Sequence, residues 1–282
     1  MPAPIDFEQP IDFDRMKNKM RETWMAGDFG QIARYTSKGA EEFVERLNVQ
    51  PGTRVLDVAC GTGNLAIPAA RKGAGVTGVD IAVNLIEQAR RRAAAEGLEA
   101  AFETGDAEQL PYPDASFDLV MSMFGAMFAP RPERVAAELC RVCRGGGVIA
   151  MANWTPDGFV GKTFRLSNRH VPPPPGLPAP VLWGDEAVVR QRFGARVSGI
   201  QTIRRAIVFD YPFEPPAVVQ FFRDYFGPTR VAFAKLDAAG QAAYAAEMES
   251  LWREHNEAGV SDTRGGRTLI RAEYLEVIAT VG

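Results

Sequence analysis

The chain is poor in the side chains that most often carry acid–base, redox and metal chemistry. Its 282 residues include two histidines, His170 and His255, and three cysteines, Cys60, Cys140 and Cys143. Three thiols cannot all pair and none belongs to a disulfide framework, so a reduced, cytoplasmic protein is expected. Cys140 and Cys143 form a C-x-x-C pair, but it falls on a helical pattern without a second pair, and no metal site is expected. Positive charge is not in excess either: 32 Lys and Arg against 35 Asp and Glu give a formal charge of -3. Nucleic-acid binders use a basic excess to displace counterions from phosphates, so DNA and RNA are not expected partners. No apolar run approaches the roughly 18 residues of a membrane span. The opening stretch MPAPIDFEQPIDFD has neither the basic start nor the apolar run of a secretion signal. Composition does not fix the oligomeric state, and a homodimer is left open.

What the chain does have is apolar residues, 46% of the total, enough for a sizeable core. It reads in three parts. Residues 1–14 look like a flexible leader, and 15–50 like an N-terminal helical cap interrupted at Gly27, Gly30 and Gly39. Residues 51–282 read as one α/β domain. Within it TRVLDVA (53–59), GVTGVD (75–80), AAFETGD (100–106), FDLVMSMF (117–124) and GVIAMANW (147–154) have the composition of strands. Helical patterns separate them, including NLIEQARRRAAAEG, whose Arg90, Arg91 and Arg92 read as a solvated face. Strands alternating with helices, and nearly continuous in apolar residues, mean a parallel sheet covered on both faces. Further on, the proline-rich VPPPPGLPAP (171–180) suggests a rigid loop across a pocket rim. ARVSGIQTIRRAIVFDYP (195–212) reads as a long strand, or two joined by a bend. A helical, aromatic-rich insertion at about 214–258 precedes a last strand, RTLIRAEYLEVIATV (267–281).

The first strand runs into a glycine loop, VLDVACGTGNLA (55–66), whose spacing suits either a nicotinamide dinucleotide or S-adenosylmethionine (SAM). A dinucleotide presents an anionic pyrophosphate to the helix N-terminus; SAM presents an amino-acid end and a sulfonium cation. Asp57, four residues before Gly61, would repel pyrophosphate and help neutralise an ammonium group. Asp80 ends the next strand, where an acid accepts hydrogen bonds from ribose hydroxyls. Asp106 ends the strand after that, within reach of an adenine amino group. Three acids at three consecutive strand ends describe the crevice in which open α/β sheets bind ligands.

DVACGTGN, the GVD at 78–80, GDAEQLPYPDASFDLV and RVCRGGGVIAM together resemble the class I SAM-dependent methyltransferases, over about 53–153. The similarity is greatest to the small-molecule branch that includes the ubiquinone and menaquinone biosynthesis enzymes. Gly145 departs from the family, which usually has proline at that turn. The resemblance implies a Rossmann-like α/β fold: a seven-stranded, mostly parallel sheet with the last strand antiparallel, helices on both faces, and a helical lid inserted before the last strand. It implies that Ala59, Gly61 and Gly63 approach the methionine part of SAM, that Asp57 is the first-strand acid, and that Asp80 binds ribose with Ile81 against adenine. It further implies that Asp106 and Ala107 contact adenine and that Ser122 and Met123 line the donor methyl.

The expected reaction is methyl transfer from SAM to an O, N or C nucleophile of a small molecule, leaving S-adenosylhomocysteine. SAM is already activated, so positioning and desolvation carry much of the catalysis. If a base is needed, His170 is the candidate, because its segment follows the fifth strand. Aromatic residues after the strands and in the insertion predict an apolar acceptor pocket: Phe124, Met127, Phe128, Trp154, Phe159, Trp183, Phe222 and Tyr225. Trp24 and Tyr35, with Phe29, are candidates to close over SAM. A non-catalytic SAM-binding protein and an NAD-dependent oxidoreductase are the alternatives.

Overall fold

A computed structural model describes residues 12–258 and 266–282. The expected leader therefore lies almost wholly outside the described residues, and α1 (Phe13–Met25) begins near its end, capped by the Asp12 carboxylate on the Arg15 N–H. Two more helices follow, α2 (Phe29–Ala33) and α3 (Ser37–Arg46). The glycines expected to break this region do not all do so: Gly30 lies inside α2 and Gly39 inside α3. A Cβ at Gly39 would meet the Ile207 side chain at 2.3 Å, so its role is close packing.

The α/β part runs β1 (Arg54–Val58), α4 (Ala66–Arg71), β2 (Gly75–Asp80), α5 (Val83–Ala95), β3 (Ala100–Thr104), β4 (Phe117–Met123), α6 (Pro132–Val142) and β5 (Cys143–Trp154). Pro68 sits in the first turn of α4, where its missing N–H has no helical partner to lose. After β5 come α7 (Phe159–His170), α8 (Glu186–Phe193) and the edge strand β6 (Val197–Tyr211), one continuous strand whose pairing shifts register between Val197 and Gly199. Then α9 (Pro215–Tyr225), α10 (Gly227–Ala234) and α11 (Ala238–Glu254) lead to β7 (Thr268–Val281).

The seven strands are ordered β3-β2-β1-β4-β5-β7-β6. The first five are parallel, and β7 runs antiparallel between β5 and β6. Right-handed crossovers put α4 and α5 on one face and α6 on the other. The direction of winding reverses between β1 and β4, so the chain leaves these neighbouring strands toward opposite faces and opens a crevice at their carboxyl ends. The central strands are buried almost throughout, as their apolar runs require: Val55, Leu56, Val58, Val120, Met121, Ile149 and Ala150 are fully enclosed.

Two local readings need correction. β5 begins at Cys143, four residues earlier than expected, so Cys140 and Cys143 straddle a helix-strand junction. The arginine run is also only partly a solvated face. Arg90 donates from Nε to the Phe102 carbonyl at 3.1 Å, and Arg92 donates from Nη1 to the Thr62 carbonyl at 2.6 Å and Asn64 Oδ1 at 2.8 Å. Arg92 thus braces the loop that follows β1.

Candidate active site

The crevice at the β1–β4 division is built on a strained backbone. Ala59 after β1 and Phe124 after β4 both have left-handed φ, +54° and +57°, which costs L-residues about 1–2 kcal/mol each. The two strand ends then come so close that a Cβ on Gly125 would lie 2.5 Å from the Ala59 carbonyl oxygen and 2.7 Å from its Cβ. Ser122 closes the same seam from inside. Its hydroxyl donates to the Val58 carbonyl at 2.7 Å and accepts the Ala126 N–H at 3.1 Å.

Above the seam the loop of residues 59–64 is held by carboxylates. Asp57 Oδ2 accepts the Ala66 N–H at 3.0 Å, capping α4. Asp80 accepts the Gly61 N–H on Oδ2 and the Ala82 N–H on Oδ1, both at 2.8 Å, so it fixes the glycine loop and the turn after its own strand. Both acids are buried. Burial pushes the Asp57 carboxyl well up; the Ala66 N–H opposes the shift and the charge of Asp80 adds to it. Burial likewise raises Asp80 against the N–H groups of Ala82, Gly61 and Ile81. Two desolvated carboxyls at neighbouring strand ends make a site that favours a cationic occupant, which would help them ionise, and disfavours pyrophosphate.

One cavity of about 240 Å³ extends from these acids across the carboxyl edge of the sheet. Asp57, Ala59, Gly61, Asp80, Ile81, Asp106 and Ala107 line its β1–β3 side, Met123 lines it from the end of β4, and Trp24 of α1 also borders it. Phe124, Phe128, Trp154, Phe159 and Phe222 line the other side. Phe124 lies flat on Trp154, with ring centroids 3.5 Å apart and planes 6° apart. Phe226, on the same helical spacing as Phe222 in the insertion, also lines this wall; sequence reasoning missed Tyr211, Tyr244 and Trp252 there, and Lys17 and Met20 on the roof. These three wall residues come from the inward-facing side of β6 and from the insertion, in segments whose periodicity was legible but whose target was not.

Seven expected site residues lie outside the lining. Gly63 turns the chain into α4, and its missing Cβ would face Ile67 and Phe102 in the core. The Ser122 hydroxyl is spent on the β1–β4 seam. Tyr35 packs behind the wall on Tyr211, with centroids 4.4 Å apart. Met127 is buried in the turn after β4. Trp183 is buried against Phe193 and beneath the Arg192 guanidinium. Tyr225 is partly exposed on the outer side of α9 against Phe221. His170 ends α7, where Nε2 lies 3.1 Å from Glu247 Oε1. The other histidine, His255, spans Lys162 Nζ at 2.8 Å and the Leu251 carbonyl at 3.0 Å, also away from the cavity. The proline-rich loop is largely exposed and contributes nothing to the lining.

Polar groups on the aromatic side are hydroxyls: Thr163, Ser167, Thr229, Tyr211 and Tyr244. Burial raises both phenols above their ordinary value of 10.0, which keeps them protonated as donors at neutral pH. Among the described residues, no group of three His, Cys, Asp or Glu could hold a metal ion, and no helix is long and apolar enough to cross a membrane.

The chain matches the family model for a methyltransferase domain over residues 55–147, the segment that carries all three acids. It is 40% identical over 239 residues to an uncharacterised protein of Mycobacterium tuberculosis, covering 83% of this chain and 87% of that one. It is 37% identical over 172 residues to the demethylmenaquinone methyltransferase of Deinococcus radiodurans, covering 55% of this chain and 71% of the enzyme. Its fold is similar to that of the YcgJ protein of Bacillus subtilis, with a TM-score of 0.55 at 17% identity over 86% of this chain and 97% of that one. Fold, acid-lined crevice and relatives agree, and the chain belongs to the class I SAM-dependent methyltransferases.

Proposed function

We propose that this enzyme methylates a flat, largely apolar small molecule, with SAM held at the acidic end of the cavity and the acceptor at the aromatic end. The observation that carries this reading is the polarity of one continuous space: buried carboxylates at the ends of β1 and β2, and stacked rings beyond β4 and β5.

The lining residues suit SAM. Asp57 faces the place for an ammonium group, Asp80 for ribose hydroxyls, and Asp106 with Ala107 for the adenine amino group; Ile81 supplies an apolar surface for the base. Ala59 and Gly61 present backbone at close range, Met123 stands at the crossing to the acceptor side, and Trp24 covers the cofactor end. When bound, SAM supplies a methyl group on a sulfonium that needs no further activation. The chain's own contribution is to orient the acceptor and to exclude water. Residues 15–50 and 214–258 form a two-part roof for that purpose. Hydroxyls of Thr163, Ser167, Thr229 and Tyr244 fix the polar edge of the acceptor, and neither histidine serves as a base. The three free, buried thiols suit a cytoplasmic setting.

Two measurements test the reading. Quinols, phenols and amines screened for S-adenosylhomocysteine release should yield turnover with planar aromatic acceptors and none with small charged amines. Asp80→Asn should weaken S-adenosylhomocysteine binding by at least about tenfold, the size expected for a lost hydrogen bond to a charged group. Tight NAD binding by calorimetry, with no binding of SAM or S-adenosylhomocysteine, would overturn the assignment.

A further inference from the structure

Helix α1 has no buried residue, yet one of its faces touches the body at four places. Phe13 lies under the Arg131 guanidinium at 4.8 Å. Lys17 reaches Asp106 Oδ2 at 2.7 Å and Glu108 Oε2 at 3.5 Å. Met20 lines the cavity, and Trp24 meets Phe29, Phe128 and Phe226 edge-on. The Phe13, Lys17, Met20, Trp24 spacing is that of one helical stripe.

The floor beneath Lys17 is rigid. The side chain of Glu108 is fully buried and is clamped by Arg131, through the backbone N–H at 2.6 Å and Nε at 2.7 Å. Asp106 accepts the Glu108 N–H on Oδ1 at 2.9 Å, which leaves Oδ2 for Lys17. The Lys17 side chain is only 15% exposed, so this ion pair is shielded in a way that surface pairs are not.

We propose that Lys17 is a positioning residue for the adenine end of the cofactor. It fixes the Asp106 carboxylate, and through it couples closure of α1 to an occupied adenine site. The proposal rests on reading Asp106 as the adenine carboxylate. Lys17, Met20 and Trp24 line the same cavity as Asp106, so a base seated on Asp106 also lies against α1. Each carboxylate oxygen has a second lone-pair direction, so an adenine amino group shares Asp106 with the ammonium group and does not displace it. A helix with no buried residue of its own gains most of its hold from such contacts. A ligand that binds better under the closed helix shifts the population toward it, and closure tightens the ligand reciprocally.

The test uses the full-length protein with Lys17→Met, which keeps side-chain length without charge, and Lys17→Arg, which keeps the charge. Lys17→Met should raise the S-adenosylhomocysteine Kd and the KM for SAM about tenfold while kcat stays within about twofold, and Lys17→Arg should restore most of the affinity. Amide exchange of residues 13–25 should slow when S-adenosylhomocysteine binds wild type and stay fast in saturated Lys17→Met. Exchange of residues 61–66 should slow in both. Unchanged affinity in Lys17→Met, or α1 protection equal to wild type, overturns the proposal and leaves the cofactor assignment standing. Failure of wild type to bind SAM and S-adenosylhomocysteine removes both.

Discussion

The close approach of Gly125 to Ala59 gives a direct measure of what holds the crevice in shape. Replacing Gly125 by alanine puts a methyl group 2.5 Å from the Ala59 carbonyl oxygen and 2.7 Å from the Ala59 Cβ, both fixed by a loop that Asp80 pins. Overpacking between backbones that cannot yield costs about 3 kcal/mol, the upper part of the range for one added carbon. Gly61→Ala is the control in the same crevice. There the new Cβ would meet only the Phe29 ring at 3.7 Å, so the cost is torsional, from a φ of +53°. Left-handed strain of about 1–2 kcal/mol, less about 0.4–1 kcal/mol from a stiffer unfolded chain, leaves a net cost of about 1 kcal/mol. Ala59→Gly relaxes its own positive φ against the same entropic loss and should stabilise by about 1 kcal/mol. Combined with Gly125→Ala it removes the 2.7 Å clash but not the 2.5 Å one, so the double variant should recover part of the loss and show non-additivity. Urea unfolding at pH 7 gives the four free energies, and calorimetric titration with S-adenosylhomocysteine reports whether the crevice still accepts its ligand. A Gly125→Ala variant no less stable than Gly61→Ala, or full additivity with Ala59→Gly, would refute the idea that backbone contact sets the seam.

Two further expectations concern charge and thiols. At the other end of the sheet, Asp118 accepts the Arg54 N–H and pairs with the Arg54 and Arg144 guanidinium groups, and hydrogen bonds from Arg54 are the main reason its pKa is depressed. A depressed carboxylate contributes stability that is present above its ordinary value of 3.8 and is lost as pH falls through its lower folded value. Asp118→Asn should therefore reduce stability at pH 7 and flatten its acid dependence below about pH 4, and unchanged steepness in acid unfolding counts against this account. Burial raises Cys60 well above its ordinary value and pushes Cys140 and Cys143 up to about 11. A disulfide reagent at pH 7 should find no fast-reacting thiol in the native protein and three after denaturation; rapid labelling of the native chain contradicts that.

The residues that end strands were the most legible part of the sequence. Asp57 stands one residue before the end of β1, Asp80 ends β2 and Asp106 lies two residues past β3, and parallel strands deliver their carboxyl ends to one edge, so order along the chain became proximity in space. Facing direction was much less legible. Ser122 and Met123 are neighbours on a strand buried on both faces, and composition alone does not say which of the two meets the cavity and which meets the core. The same ambiguity drew Met127 and Trp183 into an expected pocket that neither lines. Lys17 was invisible for a different reason: a lysine on an amphipathic helix reads as solvated until a tertiary partner is known. Its partner is 89 residues away. His170 was singled out by its type and its place after β5, but the last turn of α7 carries it to Glu247 on the outer side of α11.

The roof closes through contact between two distant parts of the chain. A Cβ on Gly27 would meet the Tyr225 carbonyl oxygen at 2.1 Å, and one on Gly227 would run into the carbonyl of Thr23, so α1 and the start of α10 abut backbone to backbone. The matched methyltransferase segment ends at residue 147 and begins at 55, and neither abutting piece falls inside it. The roof over the cavity is thus written in stretches that lie outside the matched segment. Grafting α1–α2 alone from a relative would mismatch the seam, whereas exchanging residues 13–33 and 215–254 as a pair keeps it intact. Transplants of the roof have to treat those two stretches as a single cassette.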